Sequence, residues 1–145
     1  MTALQSVFDA LDAPLKPIPL FAIEPKDGAT ASEIERQTRF LGSLRIAAPQ
    51  VIAWAVPNGH NRGLKDRAKA KKEGLRAGVP DLTIVWDQGV AFLEFKNGTD
   101  SPDENQTDLL NYLQEVGHFC AVVRTPQFAM GLLEKWGALP PRCAQ

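Results

Sequence analysis

Soft metal ligands and thiol chemistry are nearly absent from this chain, which has two cysteines, Cys120 and Cys143, and two histidines, His60 and His118, none at paired ligand spacing. That argues against a zinc module or a disulfide scaffold and fits a reducing cytoplasm. No histidine accompanies Cys120 at strand spacing, so it reads as core filler rather than nucleophile. No apolar run reaches membrane length, and no secretory leader, internal repeat or low-complexity tract is present, so no membrane association is expected. With 145 residues and a net charge of −1, the chain is sized for one domain and is not basic throughout.

What is present concentrates in two short apolar runs. Asp81 follows Gly78-Val79-Pro80 and opens Leu82-Thr83-Ile84-Val85-Trp86; thirteen positions later Glu94 sits in Phe92-Leu93-Glu94-Phe95-Lys96. Both runs have the β-branched and aromatic content of buried strands, and Asp87-Gln88-Gly89 between them carries turn chemistry, so the pair predicts an antiparallel hairpin. A turn centred between Asp87 and Gln88 sets Asp81 opposite Glu94, with Cβ atoms about 4.5 to 5.5 Å apart. Period-two alternation then brings Lys96 onto the face of Glu94. Two carboxylates and an amine converge at one end of a sheet.

Neighbouring buried carboxylates repel, so one must take up a proton unless a cation compensates them. Mg²⁺ takes a few hard oxygen ligands and keeps several waters, which suits such a pair. A bound divalent ion polarises a phosphoryl oxygen and acidifies water, and a nearby ammonium offsets developing negative charge. The implied chemistry is metal-assisted hydrolysis of a phosphodiester. The bland alternative is a solvent-facing Glu94–Lys96 pair on an edge strand, with Asp81 merely capping a turn; the apolar character of both runs weighs against it.

The flanking segments extend the argument. Ala31 to Ala48 has helical periodicity, and projection places Ile34, Phe40, Leu41, Leu44 and Ala48 on one face with Glu33 and Gln37, while Glu35 points away. Gln37 is placed to hold Glu33 by a hydrogen bond. Val51 to Val56 predicts a short strand entering the Pro57-Asn58-Gly59 turn, where Asn58 either contacts substrate or only makes the turn. Between positions 62 and 76, Arg62, Lys65, Arg67, Lys69, Lys71, Lys72 and Arg76 face only Asp66 and Glu73, a local excess of five positive charges. Alone this is a solvated helix; beside the carboxylates it is the footprint of phosphate-backbone contacts. Gly74 and Gly78 bracket Arg76 and free the backbone to approach a phosphate.

After Asn97-Gly98, Ser101 is expected as N-cap, Pro102 as first helical residue and Glu104 as the partner in a capping box. The helix is expected to run to about Val116, with Leu109, Leu110, Leu113 and Val116 inward and Gln106 on the same side. His118 to Arg124 predicts another strand, and Thr125-Pro126 opens a last helix closed by Gly137. Strand, helix, strand in this order requires a parallel crossover, so the sheet is mixed and the class α/β. Upstream, Leu4, Val7, Phe8 and Leu11 form a short amphipathic helix, followed by a Pro-rich strap to Pro25 that either exposes an apolar face for dimerisation or covers its own sheet.

Gly78-Val79-Pro80-Asp81-Leu82, then Leu93-Glu94-Phe95-Lys96, then Gln106 resemble the pattern of the PD-(D/E)XK nuclease superfamily, and within it the VRR-NUC (virus-type replication-repair nuclease) branch, over roughly residues 32–136. The resemblance implies a restriction-endonuclease-like core at 31–137, with residues 1–30 as an extension and 138–145 as a tail. It further implies a Mg²⁺-dependent, structure-selective DNA endonuclease in which Mn²⁺ can substitute. Asp81, Glu94 and the Phe95 carbonyl would hold the metal, with Glu33 completing its shell directly or through water. Lys96 would position the attacking water and Gln106 order the substrate side. Stand-alone members of such a family tend to be homodimers, which suits two-fold symmetric branched DNA such as a four-way (Holliday) junction, in replication, repair or recombination of cellular, phage or mobile-element DNA. The alternative is a catalytically silent nucleic-acid-binding or assembly module on the same fold, which has no need to hold a metal. Sequence-specific restriction would call for recognition insertions that this stretch lacks.

Overall fold

The computed structural model describes residues 2–12, 15–57 and 63–140. In chain order it contains α1 (Ala3–Asp12), β1 (Ala22–Ile23), α2 (Glu33–Ala47), β2 (Ile52–Ala55), α3 (Leu64–Lys72), β3 (Leu82–Trp86), β4 (Gly89–Phe95), α4 (Glu104–Glu115), β5 (Phe119–Val123) and α5 (Pro126–Lys135). The five strands form one mixed sheet in the order β1-β5-β4-β3-β2. β4 runs parallel to β5 through the α4 crossover, β1 adds parallel to β5, and β2, β3 and β4 are antiparallel neighbours.

The hairpin register is the expected one, with Leu82 opposite Leu93, Ile84 opposite Ala91 and Trp86 opposite Gly89. Alternation then sorts the residues. Leu82, Ile84, Leu93, Phe95, Ala121 and Val123 pack on one face against Phe40 and Leu44 of α2 and Ala129 and Leu133 of α5. The opposite face carries a smaller cluster of Phe21, Leu110, Cys120 and Val122, with Phe92 and Leu113 packed against it. Burial pushes the Cys120 thiol up to about 12, which suits core filler.

Several local expectations change. The buried stripe of α2 is Arg36, Phe40 and Leu44, spaced four apart, and Ile34 is 76 % exposed. A stripe centred there turns Ile34 outwards, and Glu35 is consumed by a capping box with Ser32. No hydrogen bond joins Gln37 to Glu33 among the described residues. In α4 the N-cap is Asp103 and its box partner Gln106, in place of Ser101 and Glu104; Asp103 accepts from the Gln106 N–H, and Gln106 Oε1 accepts from the Asp103 N–H. The buried residues of α4 are Thr107 and Leu110, whereas Val116 is its half-exposed C-cap.

The strap is part of the sheet. Beyond β1, Glu24 accepts from the backbone N–H groups of Arg124 and Thr125 and from the Thr125 hydroxyl. Arg124, 1 % exposed, donates to the Glu24 and Asn97 carbonyls. Arg36 makes a two-pronged pair with Asp27 at 2.7 and 3.1 Å and donates to the Ala29, Ala31 and Arg124 carbonyls. This buried ionic network clamps residues 24–31 around Asn97-Gly98, immediately after Lys96. A Cβ on Gly98 would lie 2.4 Å from the Ala29 carbonyl oxygen, so only glycine fits there.

Candidate active site

The ladder between β3 and β4 ends at Leu82 and Leu93, and side chains continue it. The Asp81 N–H donates to Glu94 Oε2 at 3.3 Å, and the Phe95 N–H donates to Asp81 Oδ2 at 2.9 Å. Each carboxylate thus holds the other strand's backbone. Because the Lys96 N–H bonds the Val123 carbonyl on β5, the N–H and C=O of residue 95 point the other way, towards Asp81. The Phe95 carbonyl therefore shares the side of the two carboxylates.

Glu94 is only 2 % exposed, and Lys96 Nζ stands 3.4 Å from its Oε1. Gln106 Nε2 donates to the same oxygen. The orientation of this amide is fixed by chemistry, since the Asp103 N–H can only donate and must meet the amide oxygen. Gln106 thus caps its own helix and aims its NH₂ into the site. Gly78, at φ 80°, makes this approach possible: a Cβ there would lie 2.4 Å from the Asn105 carbonyl oxygen. Gly78 lets the Gly-Val-Pro-Asp turn dock against the first turn of α4.

Burial first, and the Asp81 charge second, push the Glu94 carboxyl up to about 8, with partial relief from Lys96. The site is short of positive charge. Two hard carboxylates and a carbonyl on one side are the donor set Mg²⁺ accepts, and the elevated Glu94 is what a cation would correct. No group of three or more acidic, histidine or cysteine side chains gathers among the described residues. Glu33 is half-buried at the first position of α2, and no hydrogen bond or ion pair ties it to Asp81 or Glu94.

Of the basic residues, Lys65, Arg67, Lys69, Lys71 and Lys72 lie exposed on α3, and Arg76 is exposed in the segment after it. Asn58 and Arg62 lie outside the described residues. Position matters more than exposure here. The Val56 N–H bonds the Asp81 carbonyl at 2.9 Å, so the excursion carrying α3 leaves and rejoins the sheet beside the carboxylates. Among the described side chains of α3, only Ala70 is buried.

The residues that sequence reasoning missed are Glu24, Asp27, Arg36 and Arg124. Their signal was available: Arg36 precedes Phe40 and Leu44 at intervals of four, and Arg124 closes the run Phe119–Val123. An arginine in register with a buried stripe is a paired arginine.

The sequence model of the VRR-NUC domain matches residues 28–126. A solved structure described as "VRR_NUC domain protein" superposes with a TM-score of 0.62 at 20 % identity, covering 77 % of this chain and 92 % of that chain. At that identity the likeness is one of fold. No curated protein matches.

Proposed function

This chain belongs to the VRR-NUC domain family, whose members are generally nucleases, and on that premise we propose that it is a divalent-metal-dependent endonuclease acting on branched or otherwise structured DNA. The observation that carries the proposal is the side-chain-closed end of the β3–β4 ladder, where Asp81, Glu94, Lys96 and Gln106 meet. Asp81, Glu94 and the Phe95 carbonyl are the residues that would hold Mg²⁺ or Mn²⁺. The ion, when bound, supplies Lewis acidity towards a phosphoryl oxygen and towards water.

The chain's own groups do the rest. Lys96, buried with its ammonium beside Glu94, holds the attacking water and offsets charge that develops at the pentacoordinate phosphorus. Gln106 fixes the Glu94 carboxylate and so orders the side on which substrate enters. Glu33 completes the metal shell directly or through water. Basic side chains of α3, with Arg76, Asn58 and Arg62, contact the phosphate backbone and contribute affinity without sequence information. Exposed Leu4, Val7 and Leu11 of α1 support a homodimer, the symmetry suited to a four-way junction.

Metal binding separates this reading from a silent module. Titration with Mn²⁺, followed by electron paramagnetic resonance, is expected to show a site in the wild type that weakens at least tenfold in Asp81→Asn. Equal Mn²⁺ binding by both proteins would remove the metal from this site.

A further inference from the structure

The sheet face that bears Asp81 and Glu94 is covered on one side only. Over β5 it is closed by Leu110 and Leu113 of α4 and by Phe21 of the strap. Over β2, among the described residues, it stays open, while Thr83 of β3 is 9 % exposed. Trp54 stands opposite Thr83, and Ile52 opposite Val85, so both side chains share the face of the carboxylates; Trp54 is 48 % and Ile52 63 % exposed. Ala53, between them, turns to the other face and packs on the main core. A burial-driven strand would not leave its indole in water.

Trp54 also lies close to the chemistry. Val56 pairs with Asp81 through the 2.9 Å bond, and Trp54 is two residues back along the same strand. One strand spacing and two residues of rise put its Cα about 8 Å from that of Asp81. The excursion bearing the exposed cationic side chains of α3 begins directly after this strand. An aromatic plane about 8 Å from Asp81, on a strand whose continuation carries a run of exposed cations, fits a nucleic acid better than an apolar protein surface.

We infer that Trp54 is a stacking platform for an unpaired base flanking the scissile phosphate, and thereby a determinant of selectivity for non-duplex DNA. The inference rests on the nuclease reading and deepens it. Bases within a duplex already stack on both faces and offer nothing to an indole; a base at a flap, junction branch or single-stranded end exposes a face. The contact is blind to base identity, in keeping with structure selectivity. Ile52 extends the same shelf with an aliphatic surface.

The test is metal-free binding, which needs no cleavage. A single-stranded oligonucleotide and a blunt duplex of the same sequence are titrated in EDTA against wild type, Trp54→Phe and Trp54→Ala, with indole fluorescence and anisotropy both recorded. Trp86 is buried and Trp136 half-buried, so Trp54 is the indole most open to a ligand. The wild type is expected to be quenched by the single strand. Trp54→Phe should lose the quench and keep affinity within a few-fold, and Trp54→Ala should bind the single strand roughly 5- to 100-fold more weakly, from about 1–3 kcal/mol per stacked base, with little change on the duplex. Phe retention also shows that the strand still folds. Equal losses on both DNAs, an unchanged single-strand affinity in Trp54→Ala, or a variant altered only in sedimentation, which would put a second copy of the chain on the shelf, overturns the inference while leaving the nuclease reading standing. Wild type that binds neither DNA overturns both.

Discussion

Replacing Glu94 by glutamine should make the metal-free protein more stable, and increasingly so as pH rises. Glu94 is nearly inaccessible, and its carboxyl is pushed from an ordinary 4.5 up to about 8 by burial and by Asp81. A raised carboxyl binds its proton more tightly in the folded state. Its stabilising contribution is therefore complete below about 4.5 and is lost as pH climbs through about 8. At about 1.4 kcal/mol per pKa unit, the wild type should lose on the order of 4 kcal/mol relative to the variant between pH 4.5 and 8.5. Glutamine keeps an oxygen for the Gln106 donor, and at low pH Glu94 is protonated and forms no ion pair with Lys96 that glutamine could lose, so the two proteins should be about equally stable there. Urea unfolding in EDTA at both pH values measures the difference directly. Added Mn²⁺ at pH 8.5 should return most of the loss to the wild type and little to the variant. Parallel pH profiles of the two proteins would refute the reasoning, because they would mean that Glu94 is neither desolvated nor opposed by Asp81.

Other perturbations address separate parts of the account. Arg124→Met strips donors from the buried Glu24 and Asn97 carbonyls and should cost about 2–4 kcal/mol by chemical denaturation. Gly78→Ala forces a Cβ against the Asn105 carbonyl at a positive φ; roughly 1–3 kcal/mol of stability should go, with a fall in cleavage rate as Gln106 shifts from Glu94. The Arg36 guanidinium and the Ala29 N–H hold the Asp27 carboxyl down to about 2, so its contribution is present above about pH 4 and lost as pH falls through 2; acid melts of Asp27→Asn should lack that component. Combined Lys69→Glu, Lys71→Glu and Lys72→Glu should weaken DNA binding alike for every sequence and flatten the salt dependence by about two to three in log–log slope, measured by anisotropy at several salt concentrations.

The core of the site was legible because it depends on short-range pattern. Turn position fixed the β3–β4 register, and period-two alternation then fixed which side Lys96 takes. What escaped depends on contacts far apart in sequence. The spacing of Arg36 with Phe40 and Leu44 marks it as inward, but its partners, Asp27 and the Arg124 carbonyl, lie 9 and 88 residues away and do not show in that spacing, nor does the outward turn of Ile34. Ser101-Pro102-Asp103-Glu104 offers two overlapping caps, and the choice of Asp103 is settled by Gln106, which must also reach Glu94. Likewise Ala22–Ile23 is too short to announce a strand, and forms one because β5 presents an open edge. Trp54 is not singled out by the Val51–Val56 strand pattern; its place on an edge strand, facing the uncovered side, leaves it half in water.

The most direct test of the central claim is cleavage of labelled four-way junction, flap, single-stranded and linear duplex DNA by wild type, Asp81→Asn, Glu94→Gln and Lys96→Met, each in Mg²⁺, Mn²⁺ and EDTA. The account predicts metal-dependent cutting of the branched substrates by wild type, abolished in EDTA and reduced at least a hundredfold in every variant. Undiminished cutting by Glu94→Gln, or wild type that binds these DNAs with metal present and cleaves none of them, would contradict it.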